Sequence, residues 1–363
     1  MGRFYTESTI FLRLKMFYHF RRYSTQSPDM KFYSPQYLLI CFTFISLLFA
    51  CNNEEVSPYQ VTLGNPPYKE ITDSIKDDPG NVTLYARRGG MLNKNELPEL
   101  ALKDFKKAWE LSGEEKYALA VGNLMLESNP DSSIHFLLQA RKKINNSKLL
   151  PLTLAYAYDA KGDINNALTT LDSLLKHYPQ ELEALLLKND LLQRKQDTAG
   201  AIAVLEKAYS LSPQNKEIIN MLSYQYAETN NSKALALADI LISLDKEKTS
   251  ANPYYVKGLY YVNQQQNDKA LALFNQALSV DYNYLNAYIE KGKLLLDAKK
   301  NAEALKTFQL ANTISPSFPD AYFWIGKAYE SNGDKVQAKD YYNKAYQLDK
   351  SFTEAKQAAE AMK

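Results

Sequence analysis

The sequence predicts an all-α protein, a solenoid of stacked helical hairpins, and three observations carry that prediction. From Ala251 to Lys350 one pattern recurs at a spacing of 34 residues: Gly258, Gly292 and Gly326 fall in register, as do Ala270, Ala304 and Ala338; Phe274, Phe308 and Tyr342; and Ala277, Ala311 and Ala345. Within each unit apolar and small residues recur at i, i+3, i+4 and i+7, one face of a helix of period 3.6. Polar clusters such as Gln264 to Asp268 or Asn332 to Asp334 divide the unit into two helices. Only 13 Gly and 14 Pro occur in 363 residues, too few for a loop-rich or all-β chain. The small residues have a packing reason, because two helices cross closely only where side chains do not hold their backbones apart.

Residues 1–29 carry Arg3, Arg13, Lys15, Arg21 and Arg22 among aromatics without a period, and read as an extension ahead of a start at Met30. From Tyr37 to Ala50 fourteen residues carry no charge, with Lys31 before them and Cys51-Asn52-Asn53-Glu54-Glu55 after. A run of that length suits the core of a signal peptide better than a spanning helix, which needs about 20 residues, so 30–51 reads as a signal peptide. An uncleaved anchor is the alternative, because no charge occurs from Phe32 to Asn53. Either way the basic flank stays inside and the repeats lie outside the cytoplasm. Residues 52–66, with Asn52, Pro58, Gly64 and Pro66, have turn composition and no period, and read as a tether.

Residues 67–81 form a half unit, a helix from Tyr68 to Asp77 with Ile71 and Ile75 on one face, ended by Pro79-Gly80 and able to cover the first repeat. Eight units then occupy 82–352, starting near Val82, Glu115, Lys148, Leu182, Lys216, Ala251, Leu285 and Pro319. The first carries Tyr85, Gly89, Ala101, Phe105 and Ala108; the third Ala155, Tyr158, Gly162, Ala167 and Leu171; the fourth Leu185, Ala201, Leu205 and Ala208. The second shortens its turn around Pro130. The fifth places Ala238 where an aromatic is expected and Leu241 where Ala is expected, and leaves through a longer exit, Lys246 to Pro253, which makes it the expected weak joint. Pro179, Pro213 and Pro316 close second helices by removing a backbone donor and biasing the preceding residue away from helix. Residues 353–363 cap the stack, with Ala355, Ala358, Ala359 and Met362 turned inward, since an end repeat otherwise exposes its packing face.

Charge and composition exclude several functions. From residue 52 onward 37 Lys and Arg face 39 Asp and Glu, which leaves no basic footprint for nucleic acid. Cys41 and Cys51 lie in or beside the apolar run, so the repeats fold without disulfides. His135 and His177 sit in different repeats without partners at ligand spacing. No G-x-S-x-G elbow, phosphate-cradling Gly loop or H-E-x-x-H occurs. The chain therefore reads as a non-enzyme with no cofactor and no metal.

The 34-residue columns resemble the tetratricopeptide repeat family, whose signature is matched by Tyr322, Gly326, Tyr329, Ala338, Tyr342 and Ala345 in the last unit. The resemblance implies a right-handed superhelical solenoid that binds other proteins or peptides on a concave wall, lined by the second, fifth, ninth and twelfth positions of each unit. Carried over, these are Leu152, Tyr156 and Asp159; Leu186, Asp190 and Gln193; Asn220 and Tyr224; Tyr255 and Leu259; Ile289 and Lys293; and Phe323 and Lys327. Tyr255 and Phe323 are thus expected on the wall, apart from core columns holding Tyr158, Tyr261 and Tyr329. Leu48-Phe49-Ala50-Cys51 in turn resembles a bacterial lipobox, departing from it at Phe49, and implies lipidation of Cys51. Together the resemblances imply a lipid-anchored scaffold or adaptor of a bacterial envelope assembly, at the outer membrane on its periplasmic or surface face. A carbohydrate-uptake lipoprotein that stacks sugars on some of its 27 Tyr is the competing reading. Against it, the unbroken register leaves no long loop from which to build a sugar pocket.

Overall fold

A computed structural model describes residues 58–362, and every described element is a helix. Two short helices come first, α1 (Pro58–Leu63) and α2 (Lys69–Asp77). Eight hairpins follow: α3 (Val82–Lys94) with α4 (Pro98–Ser112), α5 (Glu115–Leu126) with α6 (Pro130–Lys143), α7 (Leu149–Lys161) with α8 (Ile164–His177), and α9 (Leu182–Arg194) with α10 (Thr198–Leu211). The second half continues with α11 (Lys216–Glu228) and α12 (Lys233–Leu244), α13 (Asn252–Asn263) and α14 (Asn267–Val280), α15 (Leu285–Asp297) and α16 (Asn301–Ile314), and α17 (Pro319–Ser331) and α18 (Lys335–Leu348). A last helix, α19 (Thr353–Ala361), packs on α18.

Local chemistry starts and stops these helices. Side chains of Asn81, Asn129, Asp163, Asp197, Asn215 and Asp334 accept hydrogen bonds from backbone N–H groups of the first turn that follows each, which satisfies donors the helix itself leaves open. The turn inside a hairpin is built one way in all units but the second. Glu96, Gly162, Gln196, Asn230, Gln265, Lys299 and Gly333 take left-handed φ values between 56° and 82°. The next residue's N–H reaches back into the helix, as from Asp163 to the Tyr158 carbonyl at 2.8 Å and from Lys300 to that of Leu295 at 2.8 Å. This pairing caps the first helix and reverses the chain.

The hairpins close over the glycine column. A Cβ added at Gly258 would stand 2.4 Å from Phe274 Cε1, one at Gly292 2.2 Å from Phe308 Cε1, and one at Gly326 2.6 Å from Tyr342 Cε1. Each ring therefore lies on bare backbone, and Phe274, Phe308 and Tyr342 are 0% exposed. Where the first helix carries a larger residue, the second carries a smaller one: Ala155 goes with Leu171, Asn189 with Leu205, and Ser223 with Ala238, all buried. The substitutions in the fifth unit are thus a transfer of volume across the interface. Asn189 adds a bond, its Nδ2 donating to the Ala201 carbonyl at 3.0 Å.

Each first helix packs against its own second helix and against the second helix of the unit before. Contacts between successive first helices join α5 to α7, α11 to α13 and α15 to α17. At the first end Ile71 and Ile75 of α2 are buried toward α3. The Arg88 guanidinium there grips both oxygens of Asp104 at 2.8 and 2.7 Å and donates to Thr72 Oγ1 at 3.0 Å. At the other end Ala355 and Ala359 of α19 are buried in a cluster with Phe323, Tyr342 and Ala345, while Ala358 and Met362 are partly covered.

Part of the stretch expected to be an irregular tether is helical. In α1 the Tyr59 hydroxyl donates to Glu99 Oε2 at 2.8 Å, and Lys103 Nζ stands 3.9 Å from the Tyr59 ring. The two contacts fasten α1 to α4. The apolar run Tyr37 to Ala50 and Cys51 lie outside the described residues, and among those described no helix is long and apolar enough to cross a membrane.

Candidate partner-binding wall

The stacked first helices present one continuous face, and the expected wall residues divide on it into two sets. Tyr156, Leu186, Asp190, Tyr224, Lys293 and Lys327 are exposed or partly exposed. Leu152, Tyr255, Leu259 and Phe323 are 3–7% exposed and belong to the core. The placement of Tyr255 and Phe323 on a face apart from the core is therefore corrected. In the sixth and eighth units the fifth position is covered by the aromatic residue just before the next helix: Tyr255 meets Tyr284 at 5.2 Å between ring centroids, and Phe323 meets Phe352 at 5.0 Å. Tyr158, Tyr261 and Tyr329, expected in core columns, are partly buried against the apolar clusters, with Tyr329 stacked on Tyr341 at 5.4 Å.

On α7 and α9 the wall is acidic with an aromatic centre. Tyr156 donates to Glu183 Oε1 at 3.0 Å, and burial, followed by the nearby carboxylates of Glu183, Asp159 and Asp190, raises its phenol well above the ordinary value. Arg194 bridges Asp159 and Asp190, the latter at 3.2 Å, which fixes both carboxylates. On α15 and α17 two lysines each pair with a glutamate of their own helix and lie near an aromatic ring. Lys293 Nζ pairs with Glu290 and lies 5.5 Å from the Trp324 ring; Lys327 Nζ lies 3.5 Å from Glu330 Oε2 and 5.5 Å from the Phe323 ring. Each ammonium is held over an aromatic face while staying accessible, an arrangement that presents charge in a fixed place.

Between these regions a polar ladder ties three units together. Asn252 Nδ2 donates to Asn220 Oδ1 at 2.8 Å, and the Tyr284 hydroxyl donates to Asn252 Oδ1 at 2.7 Å. Glu183, Arg194, Glu228, Tyr284, Glu290 and Trp324 all contribute to the wall's charge or aromatic surface, and of these only Glu183, second in its unit, stands at a position carried over from the family. Helical spacing could have found two of them, because Glu228 lies four residues after Tyr224 and Glu290 three before Lys293, each on the same helix face. Among the described residues no group of three or more His, Cys, Asp or Glu is placed to hold a metal ion.

Comparison with known proteins agrees with this geometry. Family models described as tetratricopeptide repeat match residues 152–216, 251–284 and 319–352, and one described as TPR repeat matches 292–333. The human Protein O-mannosyl-transferase TMTC3 is 30% identical over 112 residues, which are 30% of this chain and 12% of that protein's length. A crystal structure of a tetratricopeptide repeat protein from Parabacteroides merdae superposes with a TM-score of 0.59 at 17% identity, over 68% of this chain and 98% of that one. That of PilW, a type IV pilus biogenesis factor, gives 0.47 at 20% identity over 60% of this chain and 100% of PilW. The matched segments, the all-helical hairpins and the glycine and alanine columns identify the units of this chain as tetratricopeptide repeats, which support a scaffold for protein–protein interaction.

Proposed function

We propose that this chain is a lipid-anchored, non-catalytic adaptor that holds partner proteins of a bacterial envelope assembly against its first-helix wall, with Cys51 carrying the lipid and the repeats outside the cytoplasm. The observation that carries the reading is the wall itself, where Tyr156, Leu186, Asp190, Tyr224, Lys293 and Lys327 stay accessible on helices whose positions the packing columns fix. Aromatic and charged groups on rigid elements are what recognition of a protein segment needs, because little ordering entropy is lost on binding. Supporting the anchor is the signal-length apolar run that ends at Cys51. The lipid of a mature lipoprotein supplies the two or more acyl chains that stable anchoring takes.

Crosslinking of the native, tethered protein followed by mass spectrometry tests the adaptor role. The expected crosslinks run from the faces of α7, α9, α11, α15 and α17 to one recurrent set of envelope proteins. Tyr156→Ala with Tyr224→Ala is expected to lose them without losing the fold; crosslinks that survive in that variant would place recognition elsewhere. For the anchor, Cys51→Ala is expected to abolish fatty-acid labelling, and labelling that persists would remove the lipid from the reading.

A further inference from the structure

One cluster joins three of the positions carried over from the family, Tyr224, Tyr255 and Lys293, to two carboxylates outside them, Glu228 and Glu290. Tyr224 and Glu228 of α11, Tyr255 of α13 and Glu290 and Lys293 of α15 share a single electrostatic neighbourhood. Tyr255 is 7% exposed, yet its hydroxyl makes no hydrogen bond among the described residues, and the charged and phenolic groups around it are Glu290, Tyr224, Tyr284 and Glu228. Neighbouring Tyr284, partly buried against the same cluster, uses its hydroxyl on Asn252. Among the described residues Glu228 makes neither a hydrogen bond nor an ion pair, whereas both oxygens of Glu290 are taken by Lys293 Nζ at 2.9 and 2.8 Å. Two carboxylates thus face one ammonium, leaving one negative charge uncompensated. Beside them Tyr224 keeps 42% of its surface open.

The field of the cluster agrees with that count. Glu228, exposed on α11, is held above the usual carboxylate range, first by partial loss of water and then by Glu290, with Lys293 pulling it back. A cation brought to Glu228 would relieve both effects. An acidic segment would meet an unpaired like charge there, and an apolar one would strip the remaining water from a carboxylate with nothing to replace it.

We propose that this cluster seats the lysine or arginine side chain of a bound peptide segment, with Glu228 as its counter-ion, the Tyr255 hydroxyl as hydrogen-bond acceptor and the Tyr224 ring as the surface on which the cation lies. The seat rests on the adaptor reading and gives it a chemistry. A cation over a tyrosine face and against a carboxylate gains from both. Lys293 is committed to Glu290 at 2.8 Å, and Glu228 and Tyr224 are both exposed on α11.

Selection of a random-peptide display library against the full chain in detergent micelles tests this. Enriched peptides are expected to share a Lys or Arg, and a synthetic peptide with that residue replaced by norleucine is expected to bind about ten-fold more weakly, the scale of one desolvated charge pair. Glu228→Gln, which keeps the side-chain volume, should weaken the parent peptide by a similar factor and leave the norleucine peptide unchanged. Enriched peptides without a basic residue, or a parent affinity that Glu228→Gln does not move, would overturn the seat. Peptides that respond to Tyr156→Ala but not to Glu228→Gln would also overturn it while leaving the adaptor reading intact. A selection that enriches nothing overturns the seat, and with it the adaptor reading if crosslinking likewise recovers no partner.

Discussion

The glycine at the eighth position of a unit works as one half of a fitted pair, and the pair can be exchanged. Gly292→Ala places a methyl 2.2 Å from Phe308 Cε1, an overpacking that costs about 1–3 kcal/mol. Adding Phe308→Leu recreates the Ala155 and Leu171 combination found buried in the third unit, and urea denaturation is expected to show part of that loss recovered. Arg88 and Asp104 form the corresponding polar feature. Both are under 10% exposed, so Asp104→Ala strands a buried guanidinium and is expected to cost about 3–5 kcal/mol in the same measurement. At this scale the sequence was legible where a residue answers to its own helix. The Gly and Ala columns announce close crossings because they repeat with the period. Tyr255 and Phe323 were not legible, because periodicity tells which face a residue is on but not what the next unit lays over it. Their truncation to Ala now belongs with core aromatics, at about 3–5 kcal/mol of stability.

At the level of the element, the hairpin turn was the hidden regularity. Its left-handed position holds Gly only at 162 and 333; elsewhere it holds Glu96, Gln196, Asn230, Gln265 and Lys299, residues that give no warning of the conformation. An L residue pays about 1 kcal/mol or more there, partly offset by glycine's greater freedom when unfolded. Lys299→Gly is therefore expected to stabilise by about 0.5 kcal/mol, read as a raised melting temperature. The fifth unit remains the expected site of first opening. Both side-chain amide atoms of the buried Gln225 lack a partner there, and α12 is followed by a longer exit in which Lys248 takes a φ of 53°. Hydrogen exchange should find lower protection from Lys216 to Pro253 than in the units on either side; equal protection would show that the volume transfer between Ser223 and Ala238 fully restores the interface.

For the molecule as a whole, stability is a sum of neighbours. Apolar clusters follow one another along the chain, none spanning more than four units, so a perturbation at one end weakens what it touches and little beyond. Removing residues 353–363 uncovers Phe323, Tyr342 and Ala345. The eighth hairpin should then exchange its amides fast, while α7 to α10 keep their protection. Uniform loss would mean that the stack melts as one cooperative unit.

The fastening of Tyr59 to Glu99 and Lys103 also sets a length. With α1 held on α4, the stretch between Cys51 and the first fastened helix is residues 52–57 in place of 52–66, and at about 3.5 Å per residue the greatest span its bonds allow falls from roughly 50 Å to roughly 20 Å. A lipid at Cys51 would then tie the first hairpin close to the headgroups. The space the solenoid searches shrinks roughly with the cube of that leash, by about fifteen-fold, which raises its effective concentration toward anything embedded beside it and takes more distant proteins out of range.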